Sequence, residues 1–266
     1  MKTYRIYLLS LFFASWGCSG TENDKKPIDI IKGKAVFTTN RLNDTTFLSN
    51  NIGAISRIGD KYAISDWQVD KVYVLNKSLE LERVLGSPGR GPGEYLQPVL
   101  VTYEKEKLYV GSGDNRIIVY SYSDSVKQWK TERDISTPRA RGYPREFVIM
   151  DTLLYYVNIL DKLVEKRDFD GNTINTFGEL DIKNISRKPM HLLKNKGFLY
   201  LVGISEPVIM QYTYEGKEVN SKQYYDHPLL HSSMKQQERT YKEFPTNTTS
   251  ILFKDACIIE NRLYVL

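Results

Sequence analysis

Four acids recur at one place in this chain: Asp66, Asp114, Asp161 and Glu206. Each follows one apolar run and precedes another, so each belongs to the turn between two strands. Trp67 and Arg116 lie beside the first two. Carboxylates accept hydrogen bonds, a guanidinium donates them in a planar fork, and an indole offers a flat apolar face. Such a collar could hold a cation, a sugar or a basic peptide. Trp67 is the strongest contact candidate, because an aromatic on an exposed loop suits sugar or protein recognition. The plainer account of the acids is local, since an aspartate in a turn caps nearby backbone amides with its own carboxylate. Asp66, Trp67, Asp114, Arg116, Asp161 and Glu206 are therefore the candidate ligand contacts, with local capping as the alternative for the acids.

Other chemistry is thinner. The histidines are His191, His227 and His231. His227 and His231 are four apart, a spacing that puts two ligands on one helix face. Pro228 follows His227, however, and a proline belongs at a helix start, so His227 falls outside the helix. No third ligand is evident, and no metal or other cofactor is expected. A nucleophile elbow and a Ser-His-Asp order are both missing, so no catalytic residue is assigned. The stretch Gly86 to Tyr95, GSPGRGPGEY, is glycine-rich. It lacks Gly-Lys-Ser/Thr and is followed by a strand, so it reads as a structural corner built on Gly89, Gly91, Pro92, Gly93 and Glu94 rather than a phosphate cradle.

The elements that position these residues come from a repeat. Apolar runs contain Tyr62, Tyr109, Tyr155 and Tyr200, spaced 47, 46 and 45 residues apart. A second set begins at Val72, Ile117, Leu163 and Val208, spaced 45, 46 and 45. Two registers with one period of about 45 residues predict four-stranded propeller blades, which stack because none can bury its apolar face alone. The expected fold is all-β, a propeller of six blades when complete, with about four and a half present. Units fall near Asn50–Tyr95, Leu96–Gly142, Tyr143–Lys188 and Pro189–Asp226, with a partial fifth from Thr246. Hairpin chemistry recurs at Asn76-Lys77-Ser78, Ser123-Asp124-Ser125, Asp170-Gly171-Asn172 and Glu215-Gly216-Lys217. An insert between the fourth and fifth units carries Leu229, Leu230, Met234, Tyr241 and Phe244 at roughly helical spacing between Pro228 and Pro245, which predicts a helix over about 228–244.

The stretch GRGPGEY, Pro98 and Lys107 to Tyr120 (KLYVGSGDNRIIVY) resembles an NHL-type repeat. More closely, it resembles the six-bladed β-propeller lipoproteins of the Bacteroidetes. The resemblance covers most of Asn50 to Leu266 and is specific around Leu85 to Tyr120. It implies six blades and an envelope location, and no single activity, because such propellers host many.

The ends add a location. Residues 1–17 hold Lys2 and Arg5 before an apolar run, too short to span a bilayer and typical of a secretion signal. Cys18 follows and resembles a lipoprotein acceptor, which would anchor the protein through acyl chains. Residues 18–33 read as a polar tether and 34–266 as the propeller domain. The acids Glu22 and Asp24, in the lipoproteins it resembles, accompany display at the surface. An outer-membrane lipoprotein facing the periplasm or the outside is the expectation. Ala35 to Thr39 reads as a strand before the first blade. The chain stops at Leu263-Tyr264-Val265-Leu266, one strand of a fifth blade, so it reads as a fragment lacking up to about 100 residues. Cys257, in an apolar run, is expected to be a buried free thiol.

Composition excludes little. A net charge of +5 with both signs interspersed carries no nucleic-acid footprint. Three short patterns, at Asp44-Thr45-Thr46, Asp124-Ser125-Val126 and Asp151-Thr152-Leu153, resemble a Bacteroidetes O-glycosylation acceptor. The functional expectation is a non-catalytic propeller that binds or scaffolds a protein or glycan partner in the envelope. The alternative is an envelope hydrolase or lyase with a metal site in its channel.

Overall fold

The structure is a computed structural model and describes residues 7–11, 29–32, 41–123, 125–126, 128–137, 146–158, 162–179, 190–243, 255–259 and 262–265. It divides into two compact units, Phe37–Thr176 and, in the second, Met1–Val36 with Phe177–Leu266.

The unit Phe37–Thr176 carries three meanders. The first has β3 (Ile52–Ile58), β4 (Lys61–Asp66), β5 (Lys71–Leu75) and β6 (Leu81–Leu85). The second has β7 (Pro98–Glu104), β8 (Lys107–Ser112), β9 (Arg116–Ser123) and β10 (Gln128–Ser136). The third has β11 (Phe147–Met150), β12 (Leu153–Val157), β13 (Val164–Asp168) and β14 (Thr173–Phe177), the last ending one residue beyond the unit. Each sheet runs in chain order, every neighbour antiparallel. The period read from the sequence is therefore the blade period. Its two apolar registers are the second and third strands of each sheet.

Burial follows from stacking. The middle strands are buried on both faces: β5 reads intermediate once and then buried four times. They lack the alternation of a half-exposed strand because both sides are covered, in β5 by the second sheet on one side and by Leu42 and Leu48 on the other. The outermost strands β6, β10 and β14 are mostly exposed and polar, which blunts an edge that would otherwise recruit another chain. Between the first two sheets lie Val72, Val74, Leu108, Val110 and Ile118; between the second and third lie Tyr109, Ile117, Val119, Ile149 and Leu154. Each such side chain contributes about 1.5–3 kcal/mol of burial free energy.

The second unit contains β15 (Met190–Asn195), β16 (Phe198–Gly203), β17 (Val208–Thr213) and β18 (Glu218–Gln223) as a fourth meander. Helix α1 spans Pro228–Glu243, over the segment where apolar spacing predicts one. The Pro228 ring sits at its first position, and His231 N–H donates to His227 O at 3.1 Å, which leaves His227 as the residue just outside it. Leu230 packs against Val202, Ile209 and Leu263.

A further sheet joins β19 (Ala256–Ile259), β20 (Arg262–Val265), β1 (Tyr7–Leu11) and β2 (Asp29–Lys32), in that order. The run read as a secretion signal pairs through Leu9, Ser10 and Leu11 with Val265, Tyr264 and Leu263, and β2 lies within the expected tether. The free edge of β20 has backbone donors and acceptors to satisfy, and an extended segment meets them. Cys18, the strand expected at Ala35–Thr39 and the start of the fifth unit at Thr246 lie outside the described residues. Cys257 is corrected: its thiol is exposed, not buried. On β19 the alternation turns Ala256 inward and Cys257 outward.

Candidate functional site

The glycine-rich corner is a closed knot. Tyr95 N–H donates to Ser87 O (3.0 Å), Gly89 N–H to Tyr95 O (3.2 Å) and Glu94 N–H to Gly91 O (3.0 Å). The Glu94 carboxylate turns back and accepts from Gly91 N–H at 2.8 Å. These amides are thus spent within the corner on its own carbonyls and carboxylate rather than offered to an anion. Tyr95 is fully buried, and its hydroxyl donates to Leu85 O. Burial raises its pKa strongly, so it serves only as a neutral donor. At Gly86 φ is +67° and a Cβ would stand 2.3 Å from the Tyr95 ring, so the position requires glycine.

Arg116 opens β9 and holds this knot. Its Nε donates to Asp114 (2.9 Å); Nη1 donates to Asp134 (2.7 Å), Arg90 O (3.2 Å) and Gly91 O (3.4 Å); Nη2 donates to Glu94 O (3.0 Å) and Gly89 O (3.3 Å). These six bonds use all five N–H protons of the guanidinium, and the side chain is only 14% exposed. Arg116, a candidate ligand contact, spends its fork on carbonyls of the corner, so it pins one blade to the next.

The acids divide in the same way. Asp66 is fully buried at the end of β4 and accepts from Ser49 N–H (2.7 Å), Ser49 Oγ (2.5 Å) and Gln68 N–H (3.3 Å). Ser49, 17 residues earlier, supplies two of these bonds, so the carboxylate ties the segment before β3 to the end of β4, and the Gln68 bond is the local cap. Asp114 binds Arg116 through one oxygen, and its other oxygen, Oδ1, is buried with no partner among the described residues. In the second unit Glu206 is buried and accepts from the Tyr225 hydroxyl at 2.7 Å. Asp161 lies outside the described residues. The structure thus joins Asp114 and Arg116 to the corner and makes them framework. Trp67 alone of these candidates presents a large side chain outward, 39% exposed, beside the equally exposed Val69. Asp66 and Lys71 pair at the end of the first sheet from which the corner departs after Leu85, so Trp67 and the corner share that end.

A second place emerges between β10 and the β13–β14 hairpin. It is an open cleft of about 510 Å³ lined by Arg133, Asp134, Ser136, Thr137, Arg167, Phe169, Asp170 and Gly171. Glu165 lies behind it, buried in β13. Burial alone would raise its carboxyl pKa, but the nearby Tyr156 hydroxyl and hydrogen bonds from Thr173 (2.7 Å) and Arg167 (2.5 Å) outweigh burial and hold it below the usual glutamate range. Asn158 adds a bond at 3.0 Å. Arg167 Nη1 donates to Gly171 O at 3.0 Å. Arg133 lies over the Phe169 ring, 5.7 Å from its centroid, and reaches Asp170 at 3.3 Å.

Sequence reasoning missed this cluster. One signal was present: the repeat places Val74, Val119 and Met210 where the third blade has Glu165, and all four are buried. A carboxylate at a core position must bring partners with it.

Among the described residues no three His, Cys, Asp or Glu gather as a metal site would require. No described helix is long and apolar enough to cross a membrane.

Comparison with known proteins accords with this architecture. Residues 43–199 match the model of a family described as a 6-bladed beta-propeller. Among solved structures the chain is similar to a Bacteroides fragilis protein assigned to export, with 18% identity and a TM-score of 0.53, over 69% of this chain and 54% of that one. It is also similar to a chain of a nidogen/laminin complex, with 12% identity and a TM-score of 0.49, over 76% and 70%. The chain spans about half the length of the Bacteroides fragilis structure, 54%. No curated protein matches it.

Proposed function

The chain belongs to this six-bladed β-propeller family, and from that premise we propose that it is an exported envelope lipoprotein that binds a protein or glycan partner without chemistry of its own. One observation carries the reading. Asp66, Arg116 and Glu206 of the collar are bonded into the framework, as is one oxygen of Asp114, while Trp67 and Val69 present an apolar contact face. Acid–base work would need such carboxylates to meet a substrate, whereas recognition needs an exposed aromatic on a rigid base. Export is supported by the apolar run before Cys18 and by the assignment of the Bacteroides fragilis neighbour. Lipidation at Cys18 would place the propeller at the outer membrane on a short tether.

The test is capture with the purified chain as bait. Detergent-solubilised envelope proteins and an immobilised glycan panel are offered to wild type and to Trp67→Ala. Partner capture should fall in the variant while its circular dichroism and Tm stay unchanged. Equal capture by both proteins would remove this face as the binding surface. Labelling with a radioactive fatty acid in cells, lost in Cys18→Ala, tests the anchor separately.

A further inference from the structure

We propose that the cleft between β10 and the β13–β14 hairpin is a binding site for an uncharged sugar. This goes beyond the Trp67 face, which is a different surface of the same binding module. The argument begins with charge. Arg133 faces Asp170, Asp134 is bound by Arg116, and Arg167 is bound to Glu165. Each cation has its anion, so the walls select neither a cation nor an anion.

What remains is hydrogen-bonding capacity of both kinds. Arg133 engages Phe169 O and Asp170 through Nη2, which leaves its Nε and Nη1 as donors. Arg167 engages Glu165 and Gly171 through Nε and Nη1, which leaves Nη2. Asp170 is 79% exposed and offers acceptors. The Thr137 hydroxyl, which can do either, is buried with no partner among the described residues. Buried hydroxyls are nearly always bonded, so this one offers a place for a polar atom of an occupant. A sugar hydroxyl donates one bond and accepts others, and vicinal hydroxyls match donors and acceptors set side by side. A cation, an anion or an apolar ligand would leave half of this set unused. Arg133 lies over the Phe169 ring and is bonded to Phe169 O and Asp170, so part of its ordering cost is met before a ligand arrives. The cleft volume, about 510 Å³, falls in the range of roughly 300–1,000 Å³ usual for small-molecule sites.

The test is titration of the full chain with maltose, cellobiose and lactose, and separately with glucuronate, read by saturation-transfer NMR and calorimetry. At least one neutral disaccharide should bind. Arg133→Ala should weaken it roughly tenfold, as expected for loss of a charge-assisted donor. Thr137→Val, which keeps shape and removes the hydroxyl, should weaken it several-fold with Tm unchanged or raised. Trp67→Ala should leave it intact. Binding of glucuronate alone would overturn the inference in favour of an anion site. Sugar binding indifferent to both cleft variants would place the sugar elsewhere, and no sugar binding at all would end the proposal; the Trp67 reading survives either result.

Discussion

Arg116 donates through Nη2 to the main-chain carbonyl of Glu94 at 3.0 Å, while the Glu94 carboxylate accepts from Gly91 N–H at 2.8 Å. The corner between the first two blades is thus held from outside by one side chain and from inside by another. A guanidinium is suited to this task, because its planar fork reaches carbonyls and carboxylates at once.

Arg116→Met should therefore cost about 3–5 kcal/mol, the range for removing one partner of a buried ionic group. Denaturant unfolding would measure it. Arg116→Lys should recover little, since a single ammonium cannot serve the corner carbonyls together with Asp114 and Asp134. A variant of wild-type stability would show that the corner holds without its pin.

Gly86→Ala should destabilise by at least about 2 kcal/mol, combining a positive φ with overlap of the Tyr95 ring. Gly59, also at positive φ, has no atom within 4 Å of its would-be Cβ, so Gly59→Ala should cost only the conformational part, about 1 kcal/mol. Thermal unfolding of the two variants separates steric cost from backbone cost.

Glu165 makes stability depend on acid. Its folded pKa is depressed, so its contribution is complete above the unfolded glutamate value and is lost as pH falls through the folded one. Stability measured from neutral pH down past pH 4 should fall more steeply for wild type than for Glu165→Gln. At neutral pH the variant should be weaker by about 1–3 kcal/mol, because a charged acceptor of three donors has become an amide. Parallel pH profiles would mean that other groups set the acid limit.

Cys257 should react with a disulfide reagent in the folded protein, because it is exposed. Partial burial, with Asp255 nearby, raises its thiol pKa, so the rate should climb with pH well above neutrality. A Cys18→Ser variant leaves Cys257 as the one thiol of the chain. Reaction only after unfolding would return Cys257 to the core.

Much of the architecture was legible because it is periodic. Tyr62, Tyr109, Tyr155 and Tyr200 mark the second strand of four blades, and a strand pair stacked on its neighbours repeats its apolar register by necessity. Pro228 with its following apolar spacing marked α1, and the glycines and prolines of Gly86–Tyr95 marked a corner rather than a cradle. What the residue order could not decide was the partner of each charge. Asp66, Arg116 and Glu206 look alike as turn residues whether they face solvent or spend their bonds inside, and only the folding of each blade, which brought Ser49, Asp134 and Tyr225 to them, made them framework. The Arg133–Arg167–Thr137 cleft unites residues of two blades that no short spacing links. Local backbone preference and apolar period are properties of a segment and can be read along it. A hydrogen bond between side chains of neighbouring blades is a property of the stacked sheets, and exists only once the chain has brought them together.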